Sequence, residues 1–208
     1  AVHLGVDQAY HHRKEDSDRE VLDALGLRAK QYGLCVSTLE PRKKVGELVA
    51  VWRRLPLDIR HQYPLVLAGG KGWLNERLQI EIDRGVAEGW LHQLGFVPER
   101  MLPALYRGAR IFIYPSIYEG FGLPPLESMA CGTPAIVSSL SCMPEICGDA
   151  VRYVNPEDPE DMLIKIEQSL PDEAWQADAS ERGLLQSGKF SWTRCVDQTV
   201  EVYSKVGQ

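Results

Sequence analysis

No apolar run in this chain is long enough to cross a bilayer. Its hydrophobic stretches are about five to seven residues, against the roughly 20 that a spanning helix needs. A secretory leader pattern is missing as well. Positive charge is not in excess: 23 Lys and Arg stand against 29 Asp and Glu, a formal net charge of −6 that argues against broad nucleic-acid binding. The five cysteines, Cys35, Cys131, Cys142, Cys147 and Cys195, are odd in number and scattered. Cys142 and Cys147 have no second pair at zinc-ligand spacing, so reduced structural thiols and a cytoplasmic setting are expected. There is no G-x-S-x-G elbow, no H-E-x-x-H, no Walker A loop and no G-x-G-x-x-G fingerprint. None of His3, His11, His12, His61 and His92 pairs with a nearby acid at nucleophile–base spacing. Hydrolase, metalloenzyme and nicotinamide readings are therefore poor.

What the chain does have is regular alternation. Its 208 residues, 44% hydrophobic and 25% charged, suffice for one well-buried domain. Apolar strand-like segments fall at residues 32–37, 64–68, 90–96, 110–114, 134–138 and 150–154. Helical spacing is expected over 18–25, 44–55, 74–88, 98–107, 158–170, 172–187 and 191–206, with Asp158 and Ser191 as N-caps. A shorter turn into helix is expected at 144–146. Strands alternating with helices in this way predict an α/β fold: a Rossmann-like, doubly wound parallel sheet with its ligand crevice at the carboxyl ends of the strands.

The loops at those ends carry the candidate chemistry. Tyr114 to Glu127 reads Y-P-S-I-Y-E-G-F-G-L-P-P-L-E, which puts Glu119, Glu127, Gly120 and Gly122 at a strand-to-helix turn. Pro124 and Pro125 suit a first helical turn, and Gly132 suits a left-handed C-cap. Free amides near Leu123 to Leu126 are then expected to face the mouth of the sheet and attract a phosphate. Taken alone, the two acids also fit a capping carboxylate and a surface acid. Thr38-Leu-Glu-Pro-Arg-Lys-Lys44 brings Arg42, Lys43 and Lys44 to another such junction, where the plainer alternative is a solvated basic turn. In Ala68-Gly-Gly-Lys-Gly-Trp73, Gly69 and Gly70 would let a ligand approach the backbone, although a plain turn fits equally well. At Leu94-Gly-Phe-Val-Pro98 an extended backbone could pair with the edge of a flat base, and the small polar segment Ser138 to Glu145 could line the far side of the crevice.

Together these segments resemble the C-terminal half of retaining GT-B glycosyltransferases, the group 1 family of glycogen synthases and bacterial mannosyltransferases. Val2-His-Leu-Gly-Val-Asp7 is similar to that family's interdomain linker, with His3-Leu4 where Pro-Asn is common. Ser37 to Lys44 resembles its first donor loop, and Leu94 to Val97 its base-binding strand end. Glu119 to Glu127 resembles the E-x7-E motif, which Ala130-Cys-Gly-Thr-Pro-Ala-Ile-Val137 continues, and Phe190-Ser-Trp192 resembles the closing helix.

The resemblance implies a nucleotide-diphosphate sugar as substrate, with no metal and no cofactor. Lys43 and Glu119 would be the catalytic pair, Lys43 on the diphosphate and Glu119 on the sugar hydroxyls. Arg42 would help. Thr38 stands where many relatives carry Arg, so the usual Arg–Lys pair would be redistributed. The backbone of Gly120, Phe121, Gly122 and Leu123 would approach sugar and phosphates, and Gly69 and Gly70 would border the donor. Glu127 would accept from the ribose hydroxyls and Val97 would meet the base through its backbone. GDP-mannose is the favoured donor, and the acceptor a glycan or a lipid-linked glycan. The implied division is a linker and leading segment over 1–30, a nucleotide-sugar domain over 31–190 and a closing helix over 191–208. The start at Ala1 is read as that of a piece lacking the N-terminal acceptor domain, which would carry any contact with the inner membrane face. Such a piece would bind donor weakly and transfer little. The alternatives are a catalytically silent nucleotide-sugar-binding or regulatory module, and a sugar-nucleotide epimerase, whose extra acids and histidines are not visible.

Overall fold

Short runs of branched and aromatic residues form six strands: β1 (Gly33–Val36), β2 (Leu65–Ala68), β3 (Leu91–Gly95), β4 (Ile111–Tyr114), β5 (Ala135–Ser138) and β6 (Arg152–Val154). In the computed structural model, which describes residues 1–70, 72 and 76–206, they make one sheet in the order β3-β2-β1-β4-β5-β6. Every pairing is parallel. Lys71 and Trp73 of the glycine-rich loop, and Leu74 at the expected start of the next helix, lie outside the described residues. The direction of winding reverses between β1 and β4, and in such sheets a ligand crevice opens there, beyond the carboxyl ends of the strands.

The helices are α1 (Ser17–Ala24), α2 (Val45–Arg54), α3 (Leu57–Gln62), α4 (Glu76–Ala87), α5 (Leu102–Gly108), α6 (Leu123–Ala130), α7 (Met143–Cys147), α8 (Pro159–Ser169), α9 (Glu173–Ser187) and α10 (Trp192–Val206). They bury the sheet on both faces. In β4, Phe112 and Tyr114 join one core with Leu34, Tyr106, Leu126 and Val137, while Ile111 and Ile113 join the other with Trp52, Leu65, Trp90 and Ile166. This period-two division explains why the inner strands β1, β2, β4 and β5 read as apolar runs, since both sides of each need a core. Tyr10, Leu22 and Leu27 of the leading segment belong to the first core.

Some boundaries differ from those expected. α3 has no counterpart in the expected pattern; it buries no residue, so it leaves no apolar periodicity, and Pro56 and Pro64 hide it further. The helix expected from Lys44 starts one residue later, because Pro41–Lys43 forms a 3₁₀ turn and Lys44 turns left-handed at φ 56°. The helix expected over 98–107 divides into a 3₁₀ turn, Glu99–Met101, and α5.

Asp158 caps α8, accepting from the amides of Glu160 at 3.0 Å and Asp161 at 3.3 Å, and Ser191 Oγ accepts from Arg194 N at 3.2 Å ahead of α10. Asp158→Ala should cost about 1 kcal/mol, a fall of roughly 2–4 °C in Tm for a domain of this size, and Asp158→Asn much less. An unchanged Tm for the alanine variant would show that the cap is not stabilising.

The leading segment lies hard against the start of α10. Val6 bridges Ser191 in parallel register and donates to Phe190 O at 3.3 Å, and a Cβ on Gly5 would sit 2.1 Å from Trp192 N. α10 itself keeps Trp192, Val196, Val200 and Tyr203 exposed. No described helix is long and apolar enough to cross a membrane.

Candidate functional site

The turn after β4 and the turn after β1 meet at one carboxylate. Glu119 Oε1 accepts from Lys43 Nζ at 2.5 Å, Ser116 Oγ at 2.6 Å, Tyr114 OH at 3.0 Å and Arg42 Nη1 at 3.2 Å. Its Oε2 has no partner among the described residues. Lys43 is only 8% exposed and also donates to Tyr114 OH at 2.6 Å. Burial works against ionisation of Glu119, but the hydrogen bonds from Lys43 and Ser116, the Lys43 charge and the Tyr114 hydroxyl outweigh it. Its pKa therefore lies below the usual carboxylate range. Burial and the Glu119 charge push Tyr114 far above an ordinary phenol, so it stays a neutral donor.

Arg42 is steered by its neighbours. Its Nη1 donates to Tyr118 O at 2.9 Å and its Nε to Glu40 Oε2 at 3.0 Å. Thr38 Oγ1 donates to the other oxygen of Glu40 at 2.8 Å, so Thr38 acts on Arg42 through an acid. Ile117 N donates to Arg42 O at 2.9 Å, tying the two turns together.

Glu119 is held on its backbone as well. Its amide donates to Ser141 Oγ at 3.2 Å, and its carbonyl accepts from Ser141 Oγ at 3.0 Å and Cys142 Sγ at 3.4 Å. The segment between β5 and α7 thus clamps the motif, with Ser141 in a left-handed conformation at φ 60°.

Beyond Glu119, the amides of Gly120, Phe121, Gly122 and Leu123 have no acceptor among the described residues. The free donors were expected over Leu123 to Leu126 and lie earlier, because Pro124 and Pro125 carry no N–H and Leu126 N bonds to Gly122 O at 3.3 Å. Gly122, at φ 97°, lets the chain turn from this row of amides into α6. The Phe121 ring turns toward the leading segment, 6.0 Å from His3 and 6.0 Å from Phe190, and His3 Nε2 meets Glu145 Oε1 at 2.7 Å. α6 ends as expected: Gly132, at φ 68°, bonds to Met129 O at 3.0 Å and Thr133 N to Ser128 O at 2.9 Å.

The remaining candidates flank this centre. Glu127 is half-buried on α6, and its Oε2 accepts from Tyr106 OH at 2.9 Å. Burial raises its pKa, the Tyr106 bond opposes that and the Glu99 charge adds to it; the net direction is upward. Gly69 donates to Gly95 O at 2.7 Å, and a Cβ there would fall 2.0 Å from Ser37 O. Only glycine lets the end of β2 pass so close to the end of β1. Gly70 O accepts from Leu39 N at 3.4 Å. The Val97 side chain packs into the core, leaving its backbone for any ligand, while neighbouring Phe96 is 80% exposed. Arg42, Lys43 and Glu119 are thus in direct contact and Thr38 joins them through Glu40; no hydrogen bond or ion pair joins Val97 or Glu127 to them among the described residues. Glu40, Tyr106, Tyr114 and Ser116 were not singled out as site residues, and Ser141 was anticipated only as part of the segment lining the far side of the crevice.

The family model described as glycosyl transferases group 1 matches residues 23–186. The O-antigen chain mannosyltransferase B of Escherichia coli is 44% identical over 183 residues, covering 88% of this chain and 48% of that protein. The serotype-specific mannosyltransferase WbdA, also of Escherichia coli, is 33% identical over 180 residues, covering 86% of this chain and 22% of that protein. Among solved structures, HepE of Anabaena in complex with UDP and glucose superposes with a TM-score of 0.83 at 21% identity, over 97% of this chain and 55% of that one. The chain spans about half the length of the first of these relatives and about a fifth of the second. The six-stranded parallel α/β architecture is that of GT-B glycosyltransferase neighbours, and with the family model lying over most of its length, this chain belongs to the glycosyl transferases group 1 family.

Proposed function

We propose that this chain is the donor-binding half of a retaining mannosyltransferase that moves mannose from GDP-mannose to a glycan or lipid-linked acceptor. The observation that carries this is the buried Lys43–Glu119 contact set beside four unpaired amides at the entrance to α6. As the bond between sugar and phosphate breaks, negative charge gathers on the departing diphosphate. Lys43, Arg42 and the amides of Gly120 to Leu123 supply fixed positive charge where it develops, reinforced by the start of the α6 dipole. The open Oε2 of Glu119 accepts from sugar hydroxyls, Glu127 accepts from the ribose, and the Val97 backbone meets the base. The mannosyl assignment draws on two mannosyltransferase relatives. Acceptor binding is assigned to the part of those longer proteins that this chain does not cover, so the chain alone should transfer little.

A thermal-shift panel of GDP-mannose, UDP-glucose, UDP-GlcNAc and ADP-glucose tests this. At a hundredfold excess over Kd, a bound donor stabilises by about 2.7 kcal/mol, so GDP-mannose should raise Tm by roughly 5–10 °C. A rise with a UDP sugar and none with GDP-mannose would overturn the donor, and no rise with any of them the whole proposal.

A further inference from the structure

Tyr106 is a buried hydroxyl that the proposed chemistry leaves unused. Tyr106, on α5, is fully buried, its ring edge-on to Tyr10 at 5.9 Å and to Phe112 at 5.4 Å. Its backbone carbonyl is fixed by Thr133 Oγ1 at 2.6 Å. A ring packed this way keeps to one rotamer on the time average. The hydroxyl therefore has one fixed position, and that position is 2.9 Å from Glu127 Oε2. Glu127 has no other side-chain hydrogen bond among the described residues. This bond alone orients the carboxylate, occupying Oε2 and leaving Oε1 open.

We propose that Tyr106 is a positioning residue: by holding one oxygen of Glu127 it presents the other to the ribose hydroxyls of the donor nucleotide. This role rests on the ribose contact proposed above for Glu127. A carboxylate already fixed in orientation loses less freedom when it accepts from a hydroxyl, so the ribose contact gains affinity from preorganisation. A donor on Oε2 also favours the ionised form, which is the form able to accept from ribose.

Glu127 is faced by Tyr106 from α5, Glu99 from the turn before α5, Tyr10 from the leading segment and Cys131 beyond its own helix. Burial and Glu99 push its pKa up and Tyr106 pulls it down. Removing the hydroxyl raises it further. Ribose-dependent affinity, present while Glu127 is ionised and lost as pH falls through its pKa, should then disappear at a higher pH than in the wild type.

The experiment is calorimetry of GDP and 2′,3′-dideoxy-GDP, with UDP and its dideoxy form alongside, on wild type, Y106F and E127A across pH. Wild type should prefer the ribose nucleotide by about tenfold or more, the scale of one charge-assisted hydrogen bond. E127A should lose that preference. Y106F should lose most of it, keeping less than about threefold, with its pH inflection moved upward. If wild type and E127A discriminate alike, Glu127 does not read the ribose and both proposals fall. If E127A loses the preference while Y106F keeps it with an unmoved pH profile, only the role of Tyr106 falls. Should Y106F not fold, 3,5-difluorotyrosine at position 106, a stronger donor on the same ring, should move the inflection downward; an unmoved inflection would overturn the role.

Discussion

Glu119→Ala should destabilise the domain by about 3–5 kcal/mol, the usual cost of stranding a buried charge by removing its partner. Lys43 Nζ would be left with only the neutral hydroxyl of Tyr114, in a place where the lysine is 8% exposed. The Ser116 and Arg42 donors would lose their common acceptor in the same step. Denaturant unfolding of the isolated chain measures this directly; a loss below about 1 kcal/mol, the range of surface ion pairs, would mean that solvent reaches the ammonium. The dependence on acid follows. Because Glu119 has a depressed pKa when folded, its contribution is complete above the unfolded carboxylate range and is lost as pH falls through the lower folded value. The gap between wild type and Glu119→Gln, which keeps an acceptor but no charge, should therefore be widest near neutrality and close in acid.

Lys43→Ala should cost less stability than Glu119→Ala, because Glu119 keeps three donors, but transfer should be lost. Glu119 would keep Arg42, Ser116 and Tyr114 as donors, so no charge is stranded. On the proposed function, the kcat of a transferase carrying this domain should fall by about 10²–10³, the effect of removing one preorganised donor from a developing negative charge. Lys43→Arg should not restore it. The compact ammonium sits against Tyr114 OH at 2.6 Å and 5.0 Å from the centre of its ring, a point-charge geometry that a longer, planar guanidinium does not reproduce. Steady-state kinetics on the three forms checks this; a Lys43→Ala enzyme with kcat within fivefold of wild type would remove Lys43 from the chemistry.

Strand positions and the doubly wound class were legible because the inner strands need apolar residues toward two cores, leaving runs such as Ile111 to Tyr114 that suit little besides a strand buried on both faces. Helix caps were legible at Asp158, Ser191 and Gly132 because their signals are local. α3 was not, since a six-residue helix with only Ile59 half-buried against the core writes no pattern. The supporting hydroxyls were hidden for a different reason. Apolar periodicity reports which face a residue occupies, not where a phenol's oxygen ends up. Tyr106 and Tyr114 look like ordinary core aromatics until α5 and α6, or β4 and the turn after it, are set beside one another. Ser141 reaches the Glu119 backbone across 22 positions of chain, a contact no spacing rule anticipates. The shift of the free amides to Gly120 through Leu123 was legible in principle, since two consecutive prolines cannot donate.

The central place of β1 has a consequence for how the domain is made. Gly33–Val36 pairs on one side with Leu65–Ala68 and on the other with Ile111–Tyr114, so the middle of the sheet closes only when a distant stretch of chain arrives. Closing so long a loop is a slow step, and its cost in chain entropy is recovered only when both pairings exist. The same event carries Glu119 to Lys43. During synthesis, the pairing of β1 with β4 cannot exist until β4 has been made, nor the charge pair until Glu119 has followed it.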